Sequence, residues 1–370
     1  MKHGPAVRLI LAGDVMTGRG IDQVLPCAGD PQIYESYIRS ADGYVALAEA
    51  QNGEIPAPVA FDYVWGDALA AMAARQPDCR LINLETAVTR SDDAWPDKGI
   101  NYRMHPGNIP VLIAAQVDIC SLANNHVLDW GYAGLAETIS CLRRAGMQTV
   151  GAGGNRRVAE QPAIMQLGSN RLRVFACGHP GSGVPGEWAA TANKAGVNFI
   201  GDLSDATASN LARQWRDDHQ PGDLVIVSIH WGGNWGYRID QQKRTFAHRL
   251  IDLGADLIFG HSSHHPIGIE VYRGRAILYG CGDLINDYEG IGGHEEYRAQ
   301  LRLLYCADLA REDGALRRLE LIPFEMRRFR LQDPGKSDRD WLLASLGREC
   351  RQLGAGLQLS EDGASFLLRW

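Results

Sequence analysis

Five apolar runs in this 370-residue chain each stop on side chains able to hold a metal ion or a proton. They are Leu9 to Asp14, Leu81 to Glu85, Ile119 to Asn125 and His126, Val225 to His230, and Leu257 to His261. Runs this short and apolar read as buried strands, and the ends of such strands are where open α/β sheets gather their ligands. Five endings of this kind predict one site assembled from several strand termini. The stretch Asp118 to Gly131 is central to it. Its strand opens into a polar turn carrying Asn124, Asn125, His126 and Asp129, and then into a helix marked by Leu135, Ile139 and Leu142.

The remaining pattern is α/β with paired sheets, and the later half is richer in hairpins than a simple doubly wound domain. Helices are predicted over 41–51, 61–75 and 204–219. Strands are predicted over 172–177 and 224–229, with a hairpin about Gly274 over 271–279. Residues 1–330 are expected to form one catalytic domain, with a helix near 341–353 and a last strand near 365–370 packing on it as structural cover (331–370). The loop over 89–109 is too long for an ordinary connection, and its Arg90, Lys98, Arg103 and His105 could meet an anionic group. Trp95, Trp188, Trp231 and Trp235 are candidates for a substrate wall.

The 42 glycines suit close backbone approaches beside such strand ends. There is no GxGxxG, no P-loop and no GxSxG elbow, which argues against dinucleotide, nucleotide-triphosphate and serine-nucleophile chemistry. A formal charge of -7 argues against nonspecific nucleic-acid binding. The eight cysteines include no CxxC pair and fall largely in apolar runs, as buried thiols of a reducing compartment do. The only early apolar run, Val7 to Ala12, is too short for a secretion signal or a membrane span. A cytoplasmic protein without a membrane anchor is therefore expected.

Asp14 and Glu85 offer anionic oxygen, Asn125 a neutral oxygen, and His230, His261 and His264 imidazole nitrogen. That mixture suits one or two borderline divalent ions, Zn, Mn, Fe or Co, better than an oxygen-only calcium site. One division places Asp14, Glu85 and His264 about one ion and Asn125, His230 and His261 about the other, with Glu85 shared. His126 is the leading general acid/base, with Asp129 orienting its ring. His265 and Asp283 are further candidates for moving protons.

These residues resemble the poly-gamma-glutamate capsule synthesis protein CapA family, a branch related to calcineurin-like metallophosphatases. The matching segments are Gly13-Asp14-Val15-Met16 with Arg19, Asn83-Leu84-Glu85, Asn124-Asn125-His126 through Gly131, Gly151-Ala152-Gly153, His230-Trp231-Gly232, and Gly260-His261-Ser262-Ser263-His264 with Glu270. The resemblance spans about residues 8 to 290 and implies a four-layer α-β-β-α metallophosphatase-like sandwich around a metal centre. The chain departs from the pattern at Asn234, where the family commonly has a glutamate, and at Gly282-Asp283, where it has Gly-Asn. Met16 also occupies the histidine position of the phosphatase DxH opening.

The resemblance also takes in soluble members that are similar to a cofactor-independent lasso-peptide epimerase. The expected function is thus metal-dependent chemistry on a peptide-like or carboxylate substrate, by amide hydrolysis or by Cα epimerisation. The alternatives are a phosphoesterase or a noncatalytic polyglutamate capsule-synthesis or binding protein.

Overall fold

The computed structural model describes residues 6–370. Two sheets face each other. The first has ten strands and is built outward from Ala6–Val15, which pairs in parallel with Cys79–Leu84 on one side and antiparallel with Leu301–Ala310 on the other. Ile119–Ser121 and Gln148–Val150 continue the parallel half. The second sheet has six strands, with Asp223–His230 between Asn170–Gly178 and Leu257–His261, all parallel.

Side-chain alternation explains why the sheets stack. In the Asp223–His230 strand, Leu224 and Ile226 enter the core shared with the first sheet. Val225, Val227 and Ile229 face a second core with the helices Asp205–Arg216 and Gln241–Asp252. Leu257 and Phe259 repeat the inward set one strand over. Each such fully buried aliphatic or aromatic side chain contributes about 1.5–3 kcal/mol of transfer free energy. On the first sheet, Met72 of helix Ala68–Arg75 and Leu135 and Leu142 of helix Gly131–Arg144 supply the matching cover. The result is a four-layer α-β-β-α sandwich.

The same alternation aims the chemistry. Ser228 and His230 share a face with Leu224 and Ile226, and His261 shares one with Leu257 and Phe259, so these polar groups point between the sheets at the strands' carboxyl ends. Ser228 Oγ reaches Ser121 Oγ of the first sheet at 3.0 Å. No helix among the described residues is long and apolar enough to cross a membrane.

Several elements differ from expectation. The helix predicted over 61–75 is a 3-10 turn, Tyr63–Trp65, and a separate helix, Ala68–Arg75, parted at Gly66, whose φ is +44°. The hairpin comprises Ile269–Tyr272 and Arg275–Leu278 about Gly274 at φ +74°. The C-terminal segment extends the first sheet as well as covering it: after helix Gly335–Gln352, the strands Gly356–Leu359 and Phe366–Arg369 join through Leu316–Arg327. Asp283 lies in a short strand, Asp283–Ile285, running parallel to Ala6–Val15 with Asp14 and Asp283 in register.

Gly13 sets that last contact, since a Cβ there would collide with the carbonyl oxygen of Gly282. Gly13→Ala should cost about 1–3 kcal/mol of stability by forcing the strands apart. Urea unfolding of wild type and variant measures this, and equal midpoints would contradict the close-approach argument.

Candidate metal centre

Asp14 closes its strand between both sheets. The Asn83 amide donates to Asp14 Oδ1 at 2.7 Å and to Glu85 Oε2 at 2.9 Å, holding two buried carboxylates side by side. Asn124 anchors Asn83 in turn, donating to its Oδ1 at 3.1 Å and to the Leu84 carbonyl at 2.8 Å. From the second sheet, the Ser262 amide donates to Asp14 Oδ2 at 3.1 Å. Neither asparagine was singled out as functional from sequence. The signal available was their position beside the candidate ligands Glu85 and Asn125.

The histidines meet this carboxylate pair from the opposite sheet. His230 Nε2 lies 3.0 Å from Asn125 Oδ1, and the Nδ1 atoms of His230 and His261 are 2.8 Å apart. Ser228 Oγ engages His261 Nε2 at 2.8 Å and leaves Nδ1 toward Asp14 Oδ1, 3.8 Å away. Glu85 Oε1 is 3.9 Å from His230 Nε2 and 3.9 Å from His126 Nε2. His264 Nδ1 sits 3.0 Å from Asp283 Oδ1.

Two triples have donor atoms mutually within 4.8 Å, one of Asp14, His230 and His261 and the other of Asp14, His264 and Asp283. Four of the six residues read as metal ligands, Asp14, His230, His261 and His264, fall in these triples, and Glu85 and Asn125 lie 3.9 and 3.0 Å from His230 Nε2. Asp14 belongs to both triples, where the sequence reading gave the shared place to Glu85, and Asp283 joins the His264 group.

The electrostatics fit a cation. Burial, reinforced by Asp283, raises the pKa of Asp14, and burial with Asp14 and Asp283 raises that of Glu85. Burial lowers His230, and it lowers His261 to about 3. Burial also disfavours charge on His264, but Asp283 and Asp14 outweigh it and raise its pKa. Neutral imidazoles beside mutually repelling carboxylates form the mixed N/O donor set that a divalent ion satisfies.

His126 flanks this cluster. Its Nδ1 lies 2.7 Å from Asp129 Oδ2, and Lys98 Nζ lies 2.7 Å from Asp129 Oδ1 and 3.1 Å from His126 Nδ1. The Tyr102 amide also donates to Asp129 Oδ2 at 2.7 Å. Asp129 holds the ring through Nδ1, with Nε2 turned toward Glu85. Burial, aided by Lys98, lowers the His126 pKa to about 4 against the pull of Asp129.

The other two proton-transfer candidates are tied down. His265 Nε2 accepts from the Gly236 amide at 3.0 Å while Nδ1 faces the Pro266 carbonyl at 3.1 Å. Asp283 accepts from Asn286 at 2.6 Å besides facing His264.

Of the four basic side chains in the long loop, only Lys98 reaches the site. Arg103 stacks on Trp130 and pairs with Asp92, Arg90 pairs with Glu137, and His105 accepts from the Gly107 amide. Arg19 is likewise structural: it is buried between Asp287 and Glu35 with its guanidinium 3.5 Å from the Tyr44 ring centroid.

The tryptophans divide. Trp231 packs in the outer core against Phe246 and Tyr279. Trp95 meets buried Trp188 on the Lys98 side, and Trp235 lies against His264 and His294 on the other.

A family model described as bacterial capsule synthesis protein PGA_cap matches residues 8–288, a span that contains every residue of both triples. A probable polyglutamine synthesis accessory protein of Mycobacterium tuberculosis is 47% identical over 350 residues, 94% of this chain and 92% of its own length. The capsule biosynthesis protein CapA of Bacillus anthracis is 23% identical over 286 residues, 77% of this chain and 61% of its own. Among solved structures, the NAD nucleotidase of Haemophilus influenzae matches 87% of this chain and 56% of its own, with a TM-score of 0.42 and 12% identity.

Because Asp14 stands in both triples, Asp14→Ala should abolish bound divalent metal altogether, whereas Asp283→Asn should weaken only one site. Elemental analysis of purified variants measures this, and wild-type metal content in Asp14→Ala would rule out the shared placement.

Proposed function

Because this chain belongs to the bacterial capsule synthesis protein PGA_cap family, we propose that it is a divalent-metal-dependent amide hydrolase acting on a peptide-like, glutamyl substrate. The names of its relatives tie them to polyglutamine and capsule synthesis, which supports a substrate of that class. The observation that carries the reaction type is the single free base. Among His126, His265 and Asp283, only His126 keeps a ring nitrogen, Nε2, without a hydrogen-bond partner beside the candidate ligands.

Divalent ions held by Asp14, Glu85, Asn125, His230, His261 and His264, with Asp283, would polarise an amide carbonyl and acidify a water. The chain's own part is positioning and proton transfer. Asp129 and Lys98 hold the His126 ring still, and Nε2 takes a proton from the attacking water and returns it to the departing amine nitrogen. A cavity of about 360 Å³ beside His264, lined by Trp235, Tyr288, Glu289, His294 and Arg302, gives room for a peptide residue. Inversion at Cα by the two-base route also needs a proton donor on the opposite face. His265 and Asp283 are both committed to other groups, so hydrolysis is the better reading of this geometry.

Incubating the metal-loaded chain with glutamyl peptides in deuterated water tests this. Cleavage without deuterium at Cα is expected, and His126→Ala should lower kcat by about 10²–10⁴-fold with metal content unchanged. Cα deuteration without cleavage would point to epimerisation. Release of phosphate from simple esters, with peptides left intact, would replace this reading with a phosphoesterase.

A further inference from the structure

Lys243 is a buried lysine with no acidic partner. It is 9% exposed, and among the described residues no carboxylate lies within 4.0 Å of its ammonium. Asp240, the nearest acid on its own helix, pairs with Arg238 at 3.1 Å. An unpaired buried charge is costly, and folded proteins seldom keep one without use for it. The position compounds the cost: Lys243 is the third residue of helix Gln241–Asp252, whose positive dipole end repels an ammonium, and the Asp240 side chain does not cap that end. The Trp231 ring, 5.3 Å away, and the longer-range attraction of Asp240 compensate in part.

The surroundings of Lys243 adjoin the residues read as metal ligands. Lys243 Nζ sits over Gly232, where a Cβ would run into it. Gly232 is two residues past His230, and a Cβ on Gly181 would lie 3.8 Å from its amide nitrogen. That second loop begins at His179, whose backbone amide donates to the His230 carbonyl at 2.9 Å. The His179 ring accepts from the Gly181 amide through Nδ1 at 3.0 Å, which puts its own proton on Nε2. A Cβ on Gly183 of the same loop would lie 3.4 Å from Nδ2 of Asn125, a candidate ligand. A free ammonium, a free imidazole N–H and two glycine backbones thus adjoin the Asn125 and His230 side of the site.

We propose that Lys243 and His179, brought together at the Gly181 and Gly232 backbones, seat a carboxylate of the substrate beside the candidate metal centre. This rests on the peptide reading above, and it adds which residues receive the glutamyl carboxylate. Burial lowers the Lys243 pKa to about 8, which leaves most of it charged at neutral pH and ready for such a partner.

Calorimetric melting of the metal-loaded chain with glutarate, its diamide and inorganic phosphate tests the seat. Glutarate should raise the Tm of wild type, and the diamide should not. Lys243→Met should melt no lower than wild type without additives and keep its metal, because it exchanges an unpaired buried charge for an apolar chain of similar length. Its affinity for glutarate should fall on the order of tenfold, as expected for one lost charge-assisted hydrogen bond. His179→Gln should weaken glutarate binding as well.

A Lys243→Met protein that is unfolded or less stable would show the lysine to be structural and overturn the proposal. So would an undiminished response to glutarate in that variant, no response in wild type, or stabilisation by phosphate alone. Lys243-dependent glutarate binding in a protein that cleaves no peptide would instead leave the seat standing and remove the hydrolase reading.

Discussion

Everything in this site hangs on how Asp14 is held. One carboxylate oxygen takes a hydrogen bond from Asn83 of the first sheet and the other from the Ser262 amide of the second, so a single buried side chain joins the two halves of the sandwich. A carboxylate can be kept in such a place only if its lone pairs are filled and its charge is answered. The amides do the first, and the cluster of imidazoles and further carboxylates around it is arranged for a cation that would do the second. The close strand contact at Gly13 and Gly282 is the backbone side of the same requirement.

Much of this was legible in the sequence because parallel strands buried on both faces read as unbroken apolar runs, and their ends are conspicuous when the next residue is Asp, Glu, Asn or His. Asp14, Glu85, Asn125, His230 and His261 were proposed as ligands that way, and the fold brings them near one another. What periodicity could not supply was partnership. Asn83 and Asn124 look like ordinary turn asparagines until their amides are seen between carboxylates. Lys98, Arg90, Arg103 and His105 were equivalent as charges in one polar loop, and only tertiary packing separates the one beside His126 from three that brace the loop itself. Asp283 was visible as a carboxylate but not as a ligand neighbour, because its three-residue strand is too short to leave a pattern. The C-terminal strands were missed in part for a related reason: Gly356–Leu359 is an edge strand with half-exposed side chains, so it carries no strong apolar signal.

The long loops then divide the approach to the strand ends. On one side Trp95 and Trp188 stand near Lys98 and His126; on the other Trp235 stands among His264, His265 and His294. The departure at Asn234 falls on the Trp235 side, where the Asn234 carbonyl accepts from the His264 amide at 2.9 Å. The backbone there has a fixed structural duty whichever side chain the position carries.

The Asn83 amide has one further consequence. By bridging Asp14 and Glu85 it keeps their oxygens at a set spacing through an uncharged linker, so the candidate ligand cluster is preassembled by the fold itself. Small zinc-finger domains are the opposite case, since their chains collapse around the ion that organises them. Here the apoprotein should remain a folded sandwich after chelation, and the choice among competing ions passes from the energetics of folding to the supply of metal in the cell.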